Sequence, residues 1–278
     1  MQAINSHRPF SVCMSVYKND NPADFVDAVK SIYEQTCPPS EIILVIDGPV
    51  SQLMQDTISN LKRDLGIMRV IPLEHNMGHA VARQTALEAA NNELCAVMDA
   101  DDLSVPDRFA MQLKAFEDHP EVSVVGGLIN EFISSVDNVV GIRIVPEQDA
   151  EIKEYMKSRC PLNLVTVMLK KSDIMKVGGY EDWYCEEDYY LWIRLSLAGF
   201  SFYNIQKNLV NVRVGEEMYQ RRGGKKYFES EARLQKYMLR HNLISKVKYA
   251  YNVGIRWMVQ VAMPNKIRGW VFQTFARK

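Results

Sequence analysis

Three carboxylates stand within four residues at Asp99, Asp101 and Asp102, directly after an apolar run. Like charges at this spacing repel one another unless a cation neutralises them. Mg²⁺ and Mn²⁺ commonly take one or two carboxylates and complete their coordination with water and phosphate oxygens. Asp99 and Asp101 therefore predict a Mn²⁺ or Mg²⁺ site beside a phosphate-bearing substrate. The alternative is an acidic helix N-terminus capped by Asp102 or Ser104, because Pro106 follows as in many first helical turns.

A second acidic cluster, Glu186, Glu187 and Asp188, is embedded among five aromatic residues. Aromatic neighbours exclude water and raise a carboxyl pKa toward the strength of a useful general base. The cluster therefore predicts a carboxylate that acts as a general base. In the alternative, these carboxylates form the acidic first turn of a helix that begins near Tyr189. Both descriptions can hold for different residues.

The elements that must position these residues alternate between strands and helices. Apolar runs predict strands at residues 10–17, 41–46, 68–73 and 94–98. Helical patterns separate them at residues 22–35, 58–65 and 80–90, the last with Val81, Ala82, Thr85 and Ala89 facing inward. Such βαβ units predict a mostly parallel sheet flanked by helices, with ligands beyond the carboxyl ends of its strands. Tyr17, Asp47 and Asp99 follow three of these strands, so we expect them to converge on one crevice.

Further along the chain, patterns predict helices at residues 107–118 and 149–156 and strands at 122–132 and 139–144. We divide the chain into a catalytic domain, residues 1–215, and a C-terminal helical, basic extension, residues 216–278. The five cysteines show no CxxC spacing and are interpreted as reduced thiols. No apolar signal segment and no run of about 18 apolar residues is present. The sequence therefore predicts a cytoplasmic protein that does not cross a bilayer.

The charge is divided along the chain. Residues 1–220 carry 19 Lys and Arg against 32 Asp and Glu, whereas residues 221–278 carry 14 against 2. From residue 245 onward, seven basic residues are interleaved with aromatics such as Trp257 and Trp270. This pattern predicts a peripheral association of the tail with an anionic membrane surface at the inner face of the cell membrane. The alternatives are a helical hairpin packed on the domain, with Pro264 at its corner, or a homodimer interface.

Five motifs occur in an order that resembles the family 2 glycosyltransferases, whose nucleotide-sugar-binding domain has the GT-A fold. They are residues 10–17, 45–48 and 76–83, the Asp-x-Asp motif Asp99, Ala100 and Asp101, and the pair Glu187 and Asp188. The resemblance covers residues 9–215. It implies an α/β GT-A domain with a Rossmann-like sheet, and an enzyme that moves one sugar from a nucleotide-sugar, most often a UDP-sugar. The acceptor it implies is a polyprenyl-diphosphate-linked saccharide in O-antigen, capsule or exopolysaccharide assembly.

The resemblance also implies roles for single residues. Tyr17 would line the base pocket, Asp47 would bind the base or ribose, and Arg83 would approach the uracil or diphosphate of the donor. In the Asp-x-Asp motif, Ala100 would contact the donor, Asp99 the ribose or metal, and Asp101 the metal.

On the acceptor side, Asp188 would be the base of an inverting displacement. Glu187 would contact the acceptor or a diphosphate. Independently of the resemblance, Arg221 and Arg222 stand beside two glycines and predict a mobile loop that closes over the donor or meets the diphosphate of the acceptor; the alternative is a solvated linker. Processive members of the family carry a Gln-x-x-Arg-Trp motif, which is missing from this sequence, and this favours transfer of one sugar per encounter.

Other functions fit the sequence less well. A nucleotidyltransferase would need a glycine-rich phosphate loop after the first strand, and a dehydrogenase would need GxGxxG; the chain has neither. The remaining alternative is a nucleotide-binding or membrane-surface binding module without transferase activity. The acidic first 220 residues would repel nucleic acid, so we expect no nucleic-acid partner.

Overall fold

The computed structural model describes residues 8–215 and 224–262. Four parallel strands form one half of its sheet, in the spatial order β3-β2-β1-β4. Their bounds are β1 Phe10–Val16, β2 Glu41–Ile46, β3 Met68–Pro72 and β4 Leu94–Val97. Apolar side chains of β1, β2 and β4 enter two separate clusters, one on each face of the sheet. Burial on both faces explains why these strands are almost continuously apolar in sequence.

The other half of the sheet mixes directions. Strand β8 (Met168–Lys170) pairs antiparallel with β4 and β6, and β6 pairs parallel with β9. The remaining bounds are β5 Leu103–Ser104, β6 Val122–Phe132, β7 Val139–Arg143 and β9 Ser201–Arg213. Strand β7 pairs with β6, and β5 pairs with β9 at the end of the sheet. The expected class, an α/β domain with flanking helices, is confirmed.

Helices cover both faces of this sheet. Those of the first 215 residues are α1 Pro22–Tyr33, α2 Gln52–Leu65, α3 His79–Ala89, α4 Arg108–Asp118, α5 Asp149–Met156, α6 Lys171–Lys176 and α7 Glu187–Leu197. Their ends follow from local chemistry. Asn21 caps α1 by accepting from the backbone N–H of Ala23 at 2.8 Å, and Gly66 ends α2 in a left-handed conformation.

Four details of the sequence-based prediction are wrong. Helix α2 begins at Gln52, six residues before the predicted start, because Ser51 supplies its cap. In α3 the buried side chains are Ala80, Ala82, Ala86 and Leu87, so only Ala82 of the predicted inward set is buried. Residues 103–104 form a strand instead of a helix start. Strand β9 was not predicted, because polar residues such as Asn204 and Asn208 interrupt its apolar pattern.

Two further helices follow residue 224. Helix α8 (Lys225–Arg240) buries Leu234 and Met238 in the core beneath α7, and α9 (Lys246–Trp257) continues into a π-helical turn, Met258–Ala262. Both helices pack on the domain, and the chain reverses between them at residues 241–245, while the predicted corner at Pro264 lies outside the described residues. Among the described helices, none has the length and apolar character to span a membrane.

Candidate active site

The Asp-x-Asp turn follows the carboxyl end of β4. A buried arginine, Arg108, holds the residues at the start of this turn. Arg108 donates from Nη2 to the carbonyl of Val97 at 2.8 Å and from Nε to Gln112 at 3.0 Å. Gln112 in turn donates to the carbonyl of Thr166 at 2.8 Å. Burial lowers the pKa of Arg108 to about 9. This network holds the start of the acidic turn in one position.

Asp102 points into the protein and does not cap a helix. Its Oδ1 accepts from the backbone N–H of Arg213 at 2.8 Å, so it ties the acidic turn to the end of β9. Burial raises its pKa well above the usual value, with Asp101 and Asp99 adding to the shift. The capping alternative is therefore wrong for both Asp102 and Ser104. Helix α4 begins after Asp107, whose side chain makes no capping hydrogen bond.

Asp20 joins the acidic group from the loop after β1. Its Oδ2 accepts from the backbone N–H of Tyr17 at 2.9 Å. Desolvation raises the pKa of Asp20 to about 6, and the negative charges of Asp101 and Asp99 add to the rise. The sequence analysis missed Asp20, although its place after an apolar strand was the same signal that singled out Tyr17. The Tyr17 ring stands 6.5 Å from the His79 ring at the start of α3.

Asp47 organises the loop before α3. Its carboxylate accepts from the backbone N–H groups of Met77 at 2.6 Å and Gly78 at 3.0 Å, and from Asn76 Nδ2 at 3.0 Å. Gly78 has φ of 88°, a left-handed conformation that favours glycine. Asp47 thus lies at the end of β2 as expected, and both of its oxygens already hold the loop that leads to Arg83.

Arg83 connects the two acidic clusters found in the sequence. From α3, its Nη2 lies 3.3 Å from Asp99 Oδ1, and its Nη1 donates to Glu187 Oε1. Burial lowers the pKa of Arg83, but the carboxylates of Asp99 and Glu187 outweigh burial and raise it overall. Asp99 and Glu187 are 88 residues apart in sequence and meet through this single guanidinium group.

Asp188 lies in the first turn of α7, beside Glu187. Its Oδ1 accepts from the backbone N–H of Tyr189 at 2.7 Å, and its Oδ2 is 3.7 Å from Cys160 Sγ. Burial raises the pKa of Asp188 to about 6; Glu187 adds to the rise and Arg83 opposes it. The group is therefore half ionised near pH 6 and accepts protons more readily than an ordinary aspartate.

The acidic turn suits a divalent cation completed by a ligand. Within the described residues, no group of three or more His, Cys, Asp and Glu side chains encloses a metal position on its own. Asp99 and Asp101 nevertheless offer two carboxylates, which is the usual protein share of a Mg²⁺ site that also binds phosphate. Desolvation and the charge of Asp99 together raise the pKa of Asp101 to about 6, although Arg213 opposes the rise. This excess of negative charge is what a bound cation would relieve.

Aromatic and cationic side chains border the second cluster. The rings of Trp183 and Tyr190 lie 4.3 Å apart. Arg233 stands 3.7 Å over Trp183, and Lys226 stands 4.0 Å over Tyr184. These cations come from α8 and were not predicted. They line a cavity of about 190 Å³ together with Glu229 and Ser230.

The structure thus brings most of the predicted site residues to one edge of the sheet. Ala100 is buried within the acidic turn, and Glu187 is engaged with Arg83. Arg221 and Arg222 lie outside the described residues. Besides Asp20, the sequence analysis missed Arg108 and Arg213. Arg213 reaches the acidic turn from β9, where its Nε lies 3.2 Å from the carbonyl oxygen of Asp101.

Comparisons with known proteins agree with this architecture. The sequence model "Glycosyl transferase family 2" matches residues 11–177. A UDP-Gal:alpha-D-GlcNAc-diphosphoundecaprenol beta-1,3-galactosyltransferase of Escherichia coli is 34% identical over 269 residues, covering 97% of this chain and 97% of that protein. The amylovoran biosynthesis glycosyltransferase AmsE of Erwinia amylovora is 30% identical over 264 residues, covering 95% and 98% respectively.

Among solved structures, S. aureus TarS in complex with UDP-GlcNAc superposes with a TM-score of 0.65 at 16% identity, covering 95% of this chain and 79% of that one. At this identity the likeness concerns the fold alone. Fold and family match together define a glycosyltransferase built on the GT-A fold. The chain belongs to glycosyltransferase family 2.

Proposed function

We propose that this protein transfers one sugar from a UDP-sugar to a polyprenyl-diphosphate-linked saccharide, with inversion at the anomeric carbon, during assembly of a bacterial surface polysaccharide. The observation that carries the proposal is the position of Arg83, which contacts Asp99 of the Asp-x-Asp turn and Glu187 beside Asp188. A donor bound at the acidic turn would therefore lie next to a carboxylate that is able to accept a proton.

The residues at the carboxyl ends of the parallel strands support the proposed binding of a UDP-sugar donor. Tyr17 and the Asp47-bound loop flank the space where a base and ribose would lie, as ligands do in open α/β sheets. Asp99 and Asp101 would hold Mn²⁺ or Mg²⁺, which when bound supplies positive charge for the departing diphosphate. Arg83 presents a planar fork of donors suited to phosphate oxygens or a base edge.

Asp188 is the base in this proposal. Its carboxylate would take the proton of the acceptor hydroxyl while that oxygen forms its bond to the anomeric carbon and the bond to the UDP oxygen breaks. Attack from the face opposite the leaving UDP inverts the carbon in a single displacement. The raised pKa of about 6 makes Asp188 a stronger base than an ordinary aspartate while leaving it mainly ionised at pH 7.

Similar proteins support the proposal that the acceptor is linked to a polyprenyl diphosphate. The Escherichia coli relative is named for an acceptor linked to diphosphoundecaprenol, and it aligns over nearly the whole chain. An acceptor of this class is anchored in a membrane, so the enzyme would work in the cytoplasm at the inner face of the cell membrane. The exposed ring of Tyr184, next to the acidic cluster, would serve as a sugar platform.

A transfer assay tests the proposal. Purified protein is given UDP-galactose, UDP-glucose, UDP-GlcNAc or dTDP-glucose, together with an undecaprenyl-diphosphate-linked GlcNAc acceptor, with Mn²⁺ or with EDTA. We expect one UDP-sugar to yield an extended lipid-linked product in Mn²⁺ and not in EDTA. Unchanged transfer in EDTA would contradict the metal assignment. Absence of both transfer and nucleotide binding with every donor would favour the alternative of a binding module without transferase activity.

A further inference from the structure

Helix α9 packs polar side chains, together with Tyr249, against the protein and exposes a stripe of apolar side chains, whereas an ordinary surface helix exposes mostly polar ones. Asn252 is buried and donates to the carbonyl of Lys157 and to Gln235 Oε1, both at 2.8 Å. Gln260, in the π-helical turn, is also buried. The exposed side carries apolar residues spaced three or four apart: Val247, Tyr251, Ile255, Met258 and Val261.

Specific polar contacts fix this orientation. Arg256 donates from Nη2 to the carbonyl of Ser158 at 2.6 Å, and its Nε lies 3.3 Å from Glu231 Oε2. Gln260 donates to the same Glu231 carboxylate. Turning the apolar side inward would break all of these bonds and bury Glu231 without its partners, which is costly. The apolar face is therefore held outward by the rest of the protein.

The charge around this face favours an anionic partner. Helix α9 and its π-helical turn carry Lys246, Lys248 and Arg256 and no acidic residue. Two of them, Lys246 and Lys248, lie in the first turn of α9 next to the apolar stripe. An apolar stripe bordered by cations matches a bilayer surface, where hydrocarbon lies beneath anionic headgroups.

The same helix is close to the proposed base. The backbone carbonyls that α9 binds belong to Lys157 and Ser158, and Cys160, two residues further on, lies 3.7 Å from Asp188 through its sulfur. The loop at residues 157–160 therefore links α9, and any surface that engages it, to Asp188. If the proposed function holds, the acceptor is anchored in that surface by its polyprenyl chain.

We propose that the outward apolar face of α9, formed by Val247, Tyr251, Ile255, Met258 and Val261, docks into the surface of an anionic phospholipid bilayer and presents the Asp188 side of the crevice to a lipid-linked acceptor. The docking step stands on the geometry and charge of α9. The presentation step rests on the proposed function.

A matched pair of double variants tests the docking face. Tyr251→Ser with Ile255→Ser removes side chains that are 62% and 42% exposed on α9. Tyr33→Ser with Leu53→Ser removes two apolar side chains of similar exposure, 39% and 66%, from α1 and α2. Full-length proteins are sedimented with vesicles of phosphatidylcholine and phosphatidylglycerol, and with vesicles of phosphatidylcholine alone.

We expect the wild type to prefer the anionic vesicles, the α9 variant to partition at least roughly tenfold less, and the α1/α2 variant to match the wild type. Equal partitioning of the two variants would overturn the proposal, as would a wild type that binds neither vesicle. An α9 variant that changes a dimer into a monomer in analytical ultracentrifugation, with vesicle binding intact, would reassign the face to a second copy of the chain.

Two controls separate this proposal from the proposed function. Thermal unfolding and UDP binding with Mn²⁺ should be the same in the α9 variant and the wild type, because Tyr251 and Ile255 are exposed and take part in none of the crevice contacts described above. If vesicle binding depends on α9 but no UDP-sugar is ever used, the docking face stands and the transferase assignment fails. If sugar transfer occurs but the α9 variant binds vesicles as well as the wild type does, only the docking proposal fails.

Discussion

The crevice has two acidic turns, and their surroundings differ. At the carboxyl end of β4, Asp99 and Asp101 lie close to each other and to Asp20. At the start of α7, Glu187 is paired with Arg83, which leaves Asp188 as the carboxylate without a direct cationic partner among the described contacts. The first turn therefore concentrates negative charge, whereas the second isolates one group.

This difference shows how one side-chain type can serve two kinds of chemistry. Desolvation raises the pKa of both Asp101 and Asp188 to about 6. Beside Asp101, neighbouring Asp99 and Asp24 add negative charge, which Arg213 offsets in part and a divalent cation would relieve. At Asp188, Glu187 raises the pKa while Arg83 and Arg143 lower it, so the neighbouring charges partly offset one another. We therefore assign cation binding to the first turn and proton transfer to the second.

The largest effect is expected from Asp188→Asn. The amide keeps the shape of the side chain but cannot accept the hydroxyl proton, so kcat for sugar transfer should fall by roughly 10²- to 10⁴-fold. The exposed neighbour Asp182→Asn serves as a control and should transfer normally. Normal turnover by the Asp188 variant would remove proton transfer from the second turn.

A smaller loss is expected from Asp101→Ala, and it should appear in binding. Loss of a carboxylate ligand should weaken Mn²⁺-dependent UDP binding by at least the roughly 10- to 100-fold that outer-shell substitutions cost metal sites. Asp107→Ala, at an exposed position directly before α4, should bind UDP like the wild type. If Asp101→Ala binds UDP as tightly as the wild type, or if EDTA does not weaken UDP binding by the wild type, the first turn does not hold a cation.

Arg83→Lys tests the connection between the turns. Lysine keeps the charge but lacks the fork that reaches both Asp99 and Glu187, so one charge-assisted hydrogen bond should be lost. We expect transfer to slow by roughly tenfold, in line with about 1.5 kcal/mol for such a bond. The exposed Arg63→Lys on α2 is the matched control. Equal rates for both variants would mean that the turns work independently.

The smallest effect is a pH dependence near neutrality. Asp188 accepts a proton only when ionised, so kcat under saturating donor and Mn²⁺ should be half-maximal near pH 6 and should fall as the pH is lowered further. UDP binding with Mn²⁺, measured over the same pH range, separates this effect from protonation of Asp101. A kcat that stays constant from pH 7 to well below 6 would contradict the raised pKa of the base.

The four parallel strands of the sheet were predicted from the sequence, because β1 to β4 are apolar on both faces and are separated by helical patterns. Strand β9 was missed, since its polar residues bind neighbouring loops across the fold. Arg213 was missed for a related reason. It acts on Asp102 across 111 residues, a contact that no local pattern encodes. Likewise, an amphipathic pattern locates the apolar side of α9 but does not tell whether that side faces the core.

Calorimetric titration with UDP most directly tests the assignment of cation and donor binding to the first turn and of proton transfer to the second. It is carried out with Mn²⁺ and then with EDTA on the wild type, Asp101→Ala and Asp188→Asn. We predict that the wild type and Asp188→Asn bind UDP equally in Mn²⁺ and lose binding in EDTA, while Asp101→Ala binds weakly in both. Loss of binding in Asp188→Asn with retention in Asp101→Ala would contradict the assignment, because the second turn would then hold the donor.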